Sequence, residues 1–166
     1  MTPVDVRRAV PAEASAVSRV LAEAIRASYT DHLAEATLLR MIGEQCSLPR
    51  IRAEIGIPGG TPGWLGWLVA VTADGTVVGA VAGGVPSSET GEVYSLCTAP
   101  AHRRGRIGSQ LLSAATDQQK THRARRQAIS VRSPDDPLLP FLRHHGFQLQ
   151  DPQPEQDDTL RCLRDL

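Results

Sequence analysis

Apolar side chains first alternate and then recur at helical spacing in the first part of the chain. Residues 4–10 (VDVRRAV) alternate apolar and polar positions, which predicts a half-buried strand. Pro11 opens a segment whose apolar residues recur three or four positions apart, which predicts a helix. These residues are Val17, Val20, Leu21, Ala24 and Ile25. A second helix is predicted around residues 33–42, whereas residues 47–63 are rich in Pro and Gly and predict a loop.

The middle of the chain is rich in β-forming residues. Residues 64–72 and 76–85 flank the turn sequence Ala-Asp-Gly at 73–75, so a hairpin is predicted there. Residues 91–98 (GEVYSLCT) predict the strand that follows the hairpin.

The last third alternates between helix and strand signals. A helix is predicted from the spacing of Ile107, Leu111, Leu112 and Ala115, and it ends near the basic cluster 120–126. Residues 127–132 predict a strand, and residues 137–145 predict a short helix stopped by Gly146. The segments 147–150 and 159–166 predict two closing strands. With no repeat and no long linker, the order βααβββαβαββ predicts one domain over residues 1–166, with a mixed sheet and helices on both of its faces.

Composition narrows the class of protein without changing this picture. The 166 residues are 41% hydrophobic and 22% charged, which is ordinary for a soluble globular domain. No run approaches the roughly 18 apolar residues that a membrane span needs, and the first residues do not read as a signal peptide. A cytoplasmic protein without membrane contacts is therefore expected.

Charge and cysteine content exclude several kinds of site. The 18 basic and 18 acidic residues cancel, which argues against a nucleic-acid partner, so any role of charge must be local. Cys46, Cys97 and Cys162 are far apart and have no partner at metal-ligand spacing. Reduced thiols are expected, with neither a disulfide framework nor a metal site.

Positive charge gathers locally in residues 97–112 (CTAPAHRRGRIGSQLL), where a strand ends and a helix begins. The amide groups of a helix N-terminus and nearby arginines together favour an anion, and a pyrophosphate would fit. The usual phosphate-loop sequences GxxxxGK[ST] and GxGxxG are absent here. The spacing alone leaves open whether this is a phosphate site or a solvated basic loop.

These residues also carry a family resemblance. Residues 93–112 (VYSLCTAPAHRRGRIGSQLL) resemble the acyl-CoA-binding motif of the GNAT superfamily of N-acyltransferases, a strand ending in L-x-V-x-P and then [QR]-x-x-G-x-[GA] at a helix start. Residues 134–149 (PDDPLLPFLRHHGFQL) resemble the later family segment that ends in Gly-Phe. The hairpin and the opening segment also fall where the family places them. The resemblance covers essentially the whole chain and implies an α/β fold with a mixed, centrally splayed sheet between helices.

The resemblance implies a set of residues that bind acetyl-CoA. Leu96, Cys97 and Thr98 would pair with the pantetheine arm through their backbone, with the N–H of Cys97 or Leu96 facing the thioester oxygen. The pyrophosphate would be wrapped by Arg103, Arg104, Gly105, Arg106, Ile107, Gly108 and Ser109. Asp135 stands at the position usually held by a cofactor-binding Asn.

Two further positions depart from the family pattern. Arg106 replaces the first glycine of G-x-[GA], and its N–H can still face phosphate if its φ is negative. Leu142 replaces the tyrosine that usually protonates the departing thiolate. His145, three residues on, is a weak candidate to replace that donor.

The proton balance shows which catalytic group matters more. A thiolate with a thiol pKa of about 8.5 leaves at pH 7 against roughly 2 kcal/mol, whereas a lysine-like ammonium must lose its proton against roughly 4.6 kcal/mol. The resemblance implies Glu92 as the base, because histone-type relatives place a glutamate six residues before the position of Thr98. Tyr94 lies two residues on and hence on the same face, where it could act as an acid. The alternatives are that Glu92 is only a solvent-facing carboxylate and that Tyr94 is only a core residue.

These observations predict an N-acetyltransferase that moves the acetyl group of acetyl-CoA directly to an amine of a small molecule or peptide, without a metal. Cys97 has no identified base, so an acyl-enzyme is not expected. Nucleic acid and membrane are not expected partners, and a homodimer is compatible with the sequence. The alternative function is a regulatory or degenerate acyl-CoA-binding domain, which Leu142 and Arg106 would favour.

Overall fold

Seven strands and five helices make up the described part of the computed structural model, residues 3–57, 63–153 and 159–166. The strands are β1 Val4–Arg8, β2 Gly66–Thr72, β3 Val77–Ser87, β4 Thr90–Thr98, β5 Arg126–Val131, β6 Gln148–Leu149 and β7 Leu160–Asp165. The helices are α1 Ala14–Tyr29, α2 Glu35–Gln45, α3 Leu48–Gly56, α4 Ile107–Thr121 and α5 Leu139–His144.

The strands form one mixed sheet in the order β1-β2-β3-β4-β5-β7-β6. All neighbouring strands are antiparallel except β4 and β5, which run parallel. β4 and β5 pair only from Thr90 to Val93 on β4, and Tyr94–Thr98 continue β4 without a β5 partner. The sheet is therefore splayed at its centre, as the sequence predicts.

Helices cover both faces of this sheet. Side chains of α4 pack against one face of β3, where a Cβ on Gly79 would lie 2.8 Å from Leu111 and 3.1 Å from Ile107. On the other face, α1 contacts β3 and β4 and packs against α2 and α3. Leucine, isoleucine and valine side chains from both layers are fully buried in the main core.

A buried polar network fixes the end of the β4–β5 pair that stays closed. Gln119 of α4 donates from Nε2 to the Glu92 carbonyl at 2.9 Å, and its Oε1 accepts from Gln127 of β5 at 2.9 Å. Arg164 of β7 donates to Gln127 Oε1 at 2.9 Å. A Cβ on Gly91 would lie 2.1 Å from Gln119 Oε1, so glycine leaves the space that this amide needs. The network anchors both strands to α4 just before they separate.

The predicted loop at 47–63 is wrong over its first half, which is helix α3. Ser47 caps this helix by accepting from the Arg50 amide at 3.4 Å, and a proline occupies the first turn, where its missing N–H costs no hydrogen bond. Ile51 is completely buried on the inner side. Residues 58–62 of the predicted loop lie outside the described residues. Among the described residues between β1 and β2, there are therefore three α-helices where two helices were predicted.

The other predicted elements agree with the structure to within a few residues at their ends. Cys46, Cys97 and Cys162 are free and buried. No helix in the described ranges is both long enough and apolar enough to cross a bilayer. Within the same ranges no cluster of His, Cys, Asp and Glu is arranged to hold a metal ion.

Candidate functional site

The splay between β4 and β5 opens into a cleft of about 1160 Å³. Its floor includes residues 94–98 of β4, which have no β5 partner, and residues 129–131 of β5. It is also lined by the loop that leads into α4, by residues of α1, α2, α3 and α5, and by residues around the start of β2. The cleft at the splay therefore contains both the basic loop before α4 and the aromatic side chains of Trp64, Trp67 and Tyr94.

The backbone of β4 presents unpaired amides to this cleft. Ala99 donates its amide to Val78 of β3 at 2.8 Å, and Cys97 pairs with Ala80 in the same register. Because successive amides of a strand point to opposite sides, Leu96 and Thr98 direct theirs away from β3 toward the open side. Of the two amides considered for the thioester oxygen, Leu96 has the required direction and Cys97 does not.

The N-terminus of α4 supplies a second set of free donors. Gln110 donates its amide to the Arg106 carbonyl, so the amides of the three preceding residues, Ile107, Gly108 and Ser109, have no partner within the helix. A Cβ on Gly108 would lie 3.4 Å from Phe141 and 3.5 Å from Thr98 Oγ1. The Ile107 side chain is buried in the core, so only its backbone is available to a ligand.

Arg106 does not meet the condition of a negative φ under which its N–H could face a phosphate. Arg106 is the N-cap of α4 and adopts φ 60° and ψ 20°, the left-handed region. The chain must turn sharply from the short 3₁₀ turn Pro100–His102 into α4, and a left-handed residue makes that turn. Glycine would adopt this conformation without strain, which accounts for the glycine that the family motif has here.

The three arginines of the loop have different surroundings. Arg103 lines the cleft, but its guanidinium donates to Ser28 Oγ at 2.7 Å and to the Ala24 carbonyl at 3.2 Å, both on α1. Arg104 and Arg106 also line the cleft and are exposed, with no side-chain hydrogen bond or ion pair to the described residues. These two guanidinium groups are the ones available to an anion, while Arg103 ties the loop to α1.

Glu92 and Tyr94 lie on the same side of β4 but in different environments. Glu92 Oε1 lies 2.5 Å from Arg161 Nη2 of β7, and its side chain is 16% exposed and does not line the cleft. Tyr94 does line the cleft, donates its hydroxyl to the Gly63 carbonyl at 2.8 Å and stacks on Trp64. Burial, and secondarily the Glu92 carboxylate, raise the pKa of Tyr94, so it stays protonated at neutral pH.

In the segment after β5, the residues singled out by the sequence analysis do not line the cleft. Asp135 is exposed and outside the cleft lining, whereas its neighbour Asp136 is buried and accepts from the Tyr29 hydroxyl at 2.9 Å. Leu142 of α5 is completely buried, whereas its neighbour Phe141 lines the cleft. His145 forms a hydrogen bond to Ser109 Oγ at 2.9 Å, and burial lowers its pKa. His145 is therefore neutral at pH 7, which does not suit a proton donor.

Tyr29 and Glu54 are among the cleft residues that the sequence analysis missed. Tyr29 of α1 lines the cleft and is held by Asp136, a contact between residues far apart in the chain. Glu54 of α3 lines it too, inside the segment interpreted as a loop. The helical spacing of Leu48, Ile51 and Ile55 is the signal that could have placed Glu54 on a helix.

Cys97 lies under the cleft floor without the character of a nucleophile. Its side chain is 6% exposed, and burial raises the pKa of its thiol to about 12. The thiol is therefore protonated at neutral pH, and an acyl-enzyme on Cys97 is disfavoured.

The chain is similar to known proteins in sequence profile and in fold. The profile of the acetyltransferase (GNAT) family matches residues 34–147. No curated protein sequence matches the chain. Among solved structures, a PaiA N-acetyltransferase of Thermoplasma acidophilum in complex with coenzyme A superposes with a TM-score of 0.85 at 19% identity, covering 99% of each chain.

Two further structures have the same fold. A GCN5-related N-acetyltransferase of Rhodopseudomonas palustris gives a TM-score of 0.78 at 15% identity and covers 100% of this chain and 98% of its own. A GNAT-family acetyltransferase of Staphylococcus aureus gives 0.75 at 11% identity, covering 98% of this chain and 99% of its own.

Proposed function

Because this chain belongs to the GNAT family of acetyltransferases, we propose that it transfers the acetyl group of acetyl-CoA directly to a primary amine of a small molecule or peptide. The observation that carries this proposal is the coincidence of the splay with the basic loop. Unpaired amides of β4 lie along one side of the cleft, and the α4 N-terminus with Arg104 and Arg106 lies at its end.

The residues around the cleft fit the donor. A pantetheine arm carries amide groups that can pair with a strand lacking a neighbour, and the open side of β4 offers the amides of Leu96 and Thr98 for this. A pyrophosphate is matched by the first-turn amides of α4 and by the guanidinium groups of Arg104 and Arg106. Gly108 lines the cleft, and its missing side chain would let the backbone approach the phosphates closely, whereas Gly105 does not line the cleft.

Acetyl-CoA supplies a thioester whose acetyl carbon an amine can attack. The Leu96 amide is placed to donate to the carbonyl oxygen as negative charge develops there, which is the usual way for a fixed N–H group to stabilise acyl transfer. Tyr94, protonated and facing the cleft, is our candidate to donate a proton to the departing sulfur. It must then leave the Gly63 carbonyl, to which it donates at present.

Glu92 remains our candidate base, with a role that its position restricts. An amine acceptor arrives as ammonium and must lose a proton before it attacks. Glu92 lies beneath the cleft wall and is held by Arg161, so the proton would have to reach its carboxylate through a bridging water. Only Val93 lies between Glu92 and the open part of β4, so the relay would be short.

Release of free CoA thiol in the presence of a panel of primary amines tests the proposal. We expect thiol release that depends on both acetyl-CoA and an amine, together with one acetyl group gained by the amine in mass spectrometry. Heat-inactivated protein serves as the control for uncatalysed hydrolysis and aminolysis. Saturable binding of acetyl-CoA with no amine-dependent thiol release across the panel would contradict transfer and favour a domain that only binds the donor.

A further inference from the structure

Glu54 provides a negative charge in the cleft. It lies on α3 and is the single carboxylate among the described residues that line the cleft. Its side chain is only 17% exposed. A largely buried carboxylate at a ligand cleft loses part of its hydration free energy, and binding of a cationic ligand would offset that loss.

Two donors hold this carboxylate in place without using up its acceptor capacity. Arg50 donates from Nε to Oε1 at 2.8 Å, and Trp67 donates from Nε1 to Oε2 at 3.3 Å. An ionised carboxylate offers about four acceptor positions, so each oxygen can still accept a bond from a ligand. The Arg50 side chain is 59% exposed, so water screens its charge and Glu54 is only partly neutralised.

Aromatic side chains line the same cleft as the carboxylate. Trp64 stacks on Tyr94 with ring centroids 6.0 Å apart and an interplanar angle of 23°. Trp64 also donates from Nε1 to the backbone carbonyl of Glu54 at 3.3 Å, which ties α3 to this aromatic pair. A cleft that offers a carboxylate and aromatic rings suits an ammonium or guanidinium group, because the carboxylate accepts charge-assisted hydrogen bonds and the rings add cation–π attraction.

The sheet register separates the strand that holds Glu54 from the strand where acetyl transfer is proposed. Trp67 of β2 pairs with Ala82 of β3, which pairs with Ser95 of β4. Adjacent strands are about 4.8 Å apart, so the backbone of Trp67, whose side chain holds Glu54, lies roughly 10 Å across the sheet from β4. This separation favours contact of Glu54 with a part of the acceptor several bonds from the amine that reacts.

We propose that the acceptor carries a second cationic group, an ammonium or guanidinium several bonds from the reacting amine, and that the Glu54 carboxylate binds this group in the cleft. The inference rests on the proposed function and names the class of acceptor for the same site. It predicts selection for a dication over an amine of equal length whose far end is neutral or anionic.

Three acceptors that share a five-carbon chain test this inference: 1,5-diaminopentane, 5-amino-1-pentanol and 5-aminopentanoate. We expect kcat/KM to fall in that order, with the diamine at least about tenfold better than the amino alcohol, which corresponds to one charge-assisted contact. Glu54→Gln should remove this advantage by lowering kcat/KM for the diamine about tenfold and for the amino alcohol less than threefold. Glu44→Gln, an exposed glutamate on the neighbouring helix, is the matched control and should keep the wild-type order.

The outcomes separate the inference from the proposed function. Equal kcat/KM for all three acceptors in the wild-type protein would overturn the inference while leaving acetyl transfer intact, and this result requires no variant to fold. If no amine is acetylated, the proposed function fails, and calorimetry of 1,5-diaminopentane with the CoA-saturated protein decides the inference. Saturable binding that Glu54→Gln abolishes and Glu44→Gln keeps would support the cation site, and no binding would overturn it.

Discussion

The left-handed backbone of Arg106 stores conformational energy at the start of α4. A non-glycine residue with φ 60° costs about 1–2 kcal/mol, whereas a glycine there costs about 0.5–1 kcal/mol of backbone entropy. We expect Arg106→Gly to leave the free energy of unfolding unchanged or to raise it by up to about 1.5 kcal/mol. Its melting temperature without ligand would then rise by up to about 6 °C, as read by differential scanning calorimetry.

Arg104→Gly is the matched control for that substitution. Arg104 is also an exposed arginine of the same loop, but it is not among the residues with positive φ. Glycine at this position raises the conformational entropy of the unfolded chain without relieving strain in the folded one. We therefore expect the free energy of unfolding to fall by up to about 1 kcal/mol. Equal losses for both variants would show that the Arg106 conformation carries no strain.

The carboxylate of Glu92 can be tested separately from donor binding. Glu92→Gln should keep acetyl-CoA affinity, because the amides of Leu96 and Thr98 do not depend on that charge. We expect turnover at neutral pH to fall by about 10²-fold, within the usual range for a general base. The loss should shrink as the pH approaches the pKa of the acceptor, because an amine that is already neutral needs no base.

Glu89→Gln controls for the loss of an ion-paired glutamate. Glu89 lies in the same β3–β4 hairpin and pairs with Arg125 at 3.6 Å, outside the cleft. Its substitution should leave turnover within about twofold of wild type, since exposed pairs contribute little. Turnover of Glu92→Gln within threefold of wild type at every pH would assign proton removal to another group or to water.

At the scale of the element, the α4 N-terminus and its loop act together as the proposed pyrophosphate site. Acetyl-CoA at 100 times its dissociation constant should stabilise the wild-type fold by about 2.7 kcal/mol through mass action. The double variant Arg104→Glu and Gly108→Leu reverses one charge and fills the space beside Phe141 and Thr98. We expect the thermal shift caused by acetyl-CoA to disappear in this variant.

Lys120→Glu provides the charge control for this experiment, because it changes an exposed residue at the opposite end of the same helix. Its thermal shift should match that of the wild type. The melting temperature of each variant without ligand shows whether the fold persists. An undiminished shift in a folded double variant would place the pyrophosphate elsewhere.

At the scale of the whole molecule, the sheet has two halves, strands β1–β4 and strands β5–β7. A short parallel ladder joins them in the sheet, in which Thr90–Val93 pair with Arg126–Ile129. A donor in the splay would add hydrogen bonds between these halves. We expect acetyl-CoA to slow hydrogen exchange at the Leu96 and Thr98 amides at least about tenfold, because bonded amides exchange only after opening. The Cys97 amide faces β3 and should be protected before ligand is added, so it is the internal control.

Exchange measured by NMR at single residues distinguishes these amides. Slowing at Cys97 with no change at Leu96 would mean that the donor does not pair with the open side of β4. Uniform slowing across the whole sheet would indicate general stabilisation of the fold in place of pairing at the splay.

Local patterns were sufficient for most elements and for the position of the basic loop before α4. Apolar spacing in α1 and α4, and the turn sequence between β2 and β3, depend on neighbours a few residues apart, so they can be read without the fold. The same holds for the basic residues before α4, whose position at a helix start follows from the periodicity that comes after them. The family resemblance rests on these local features, and the family and fold that it implied are confirmed.

Long-range packing decided the rest of the site. Glu92 forms an ion pair with Arg161, which lies far from it in the sequence. Leu142 is buried because the core surrounds α5. The loop interpretation of 47–63 hid Glu54, whose carboxylate faces the cleft because Trp64 and Trp67 hold α3 against β2. Sequence spacing determines which side chains lie on the same helix or strand. How the helices and strands pack against each other, and which charged side chains form pairs, is decided by contacts between residues far apart in the chain, and no local pattern encodes those contacts.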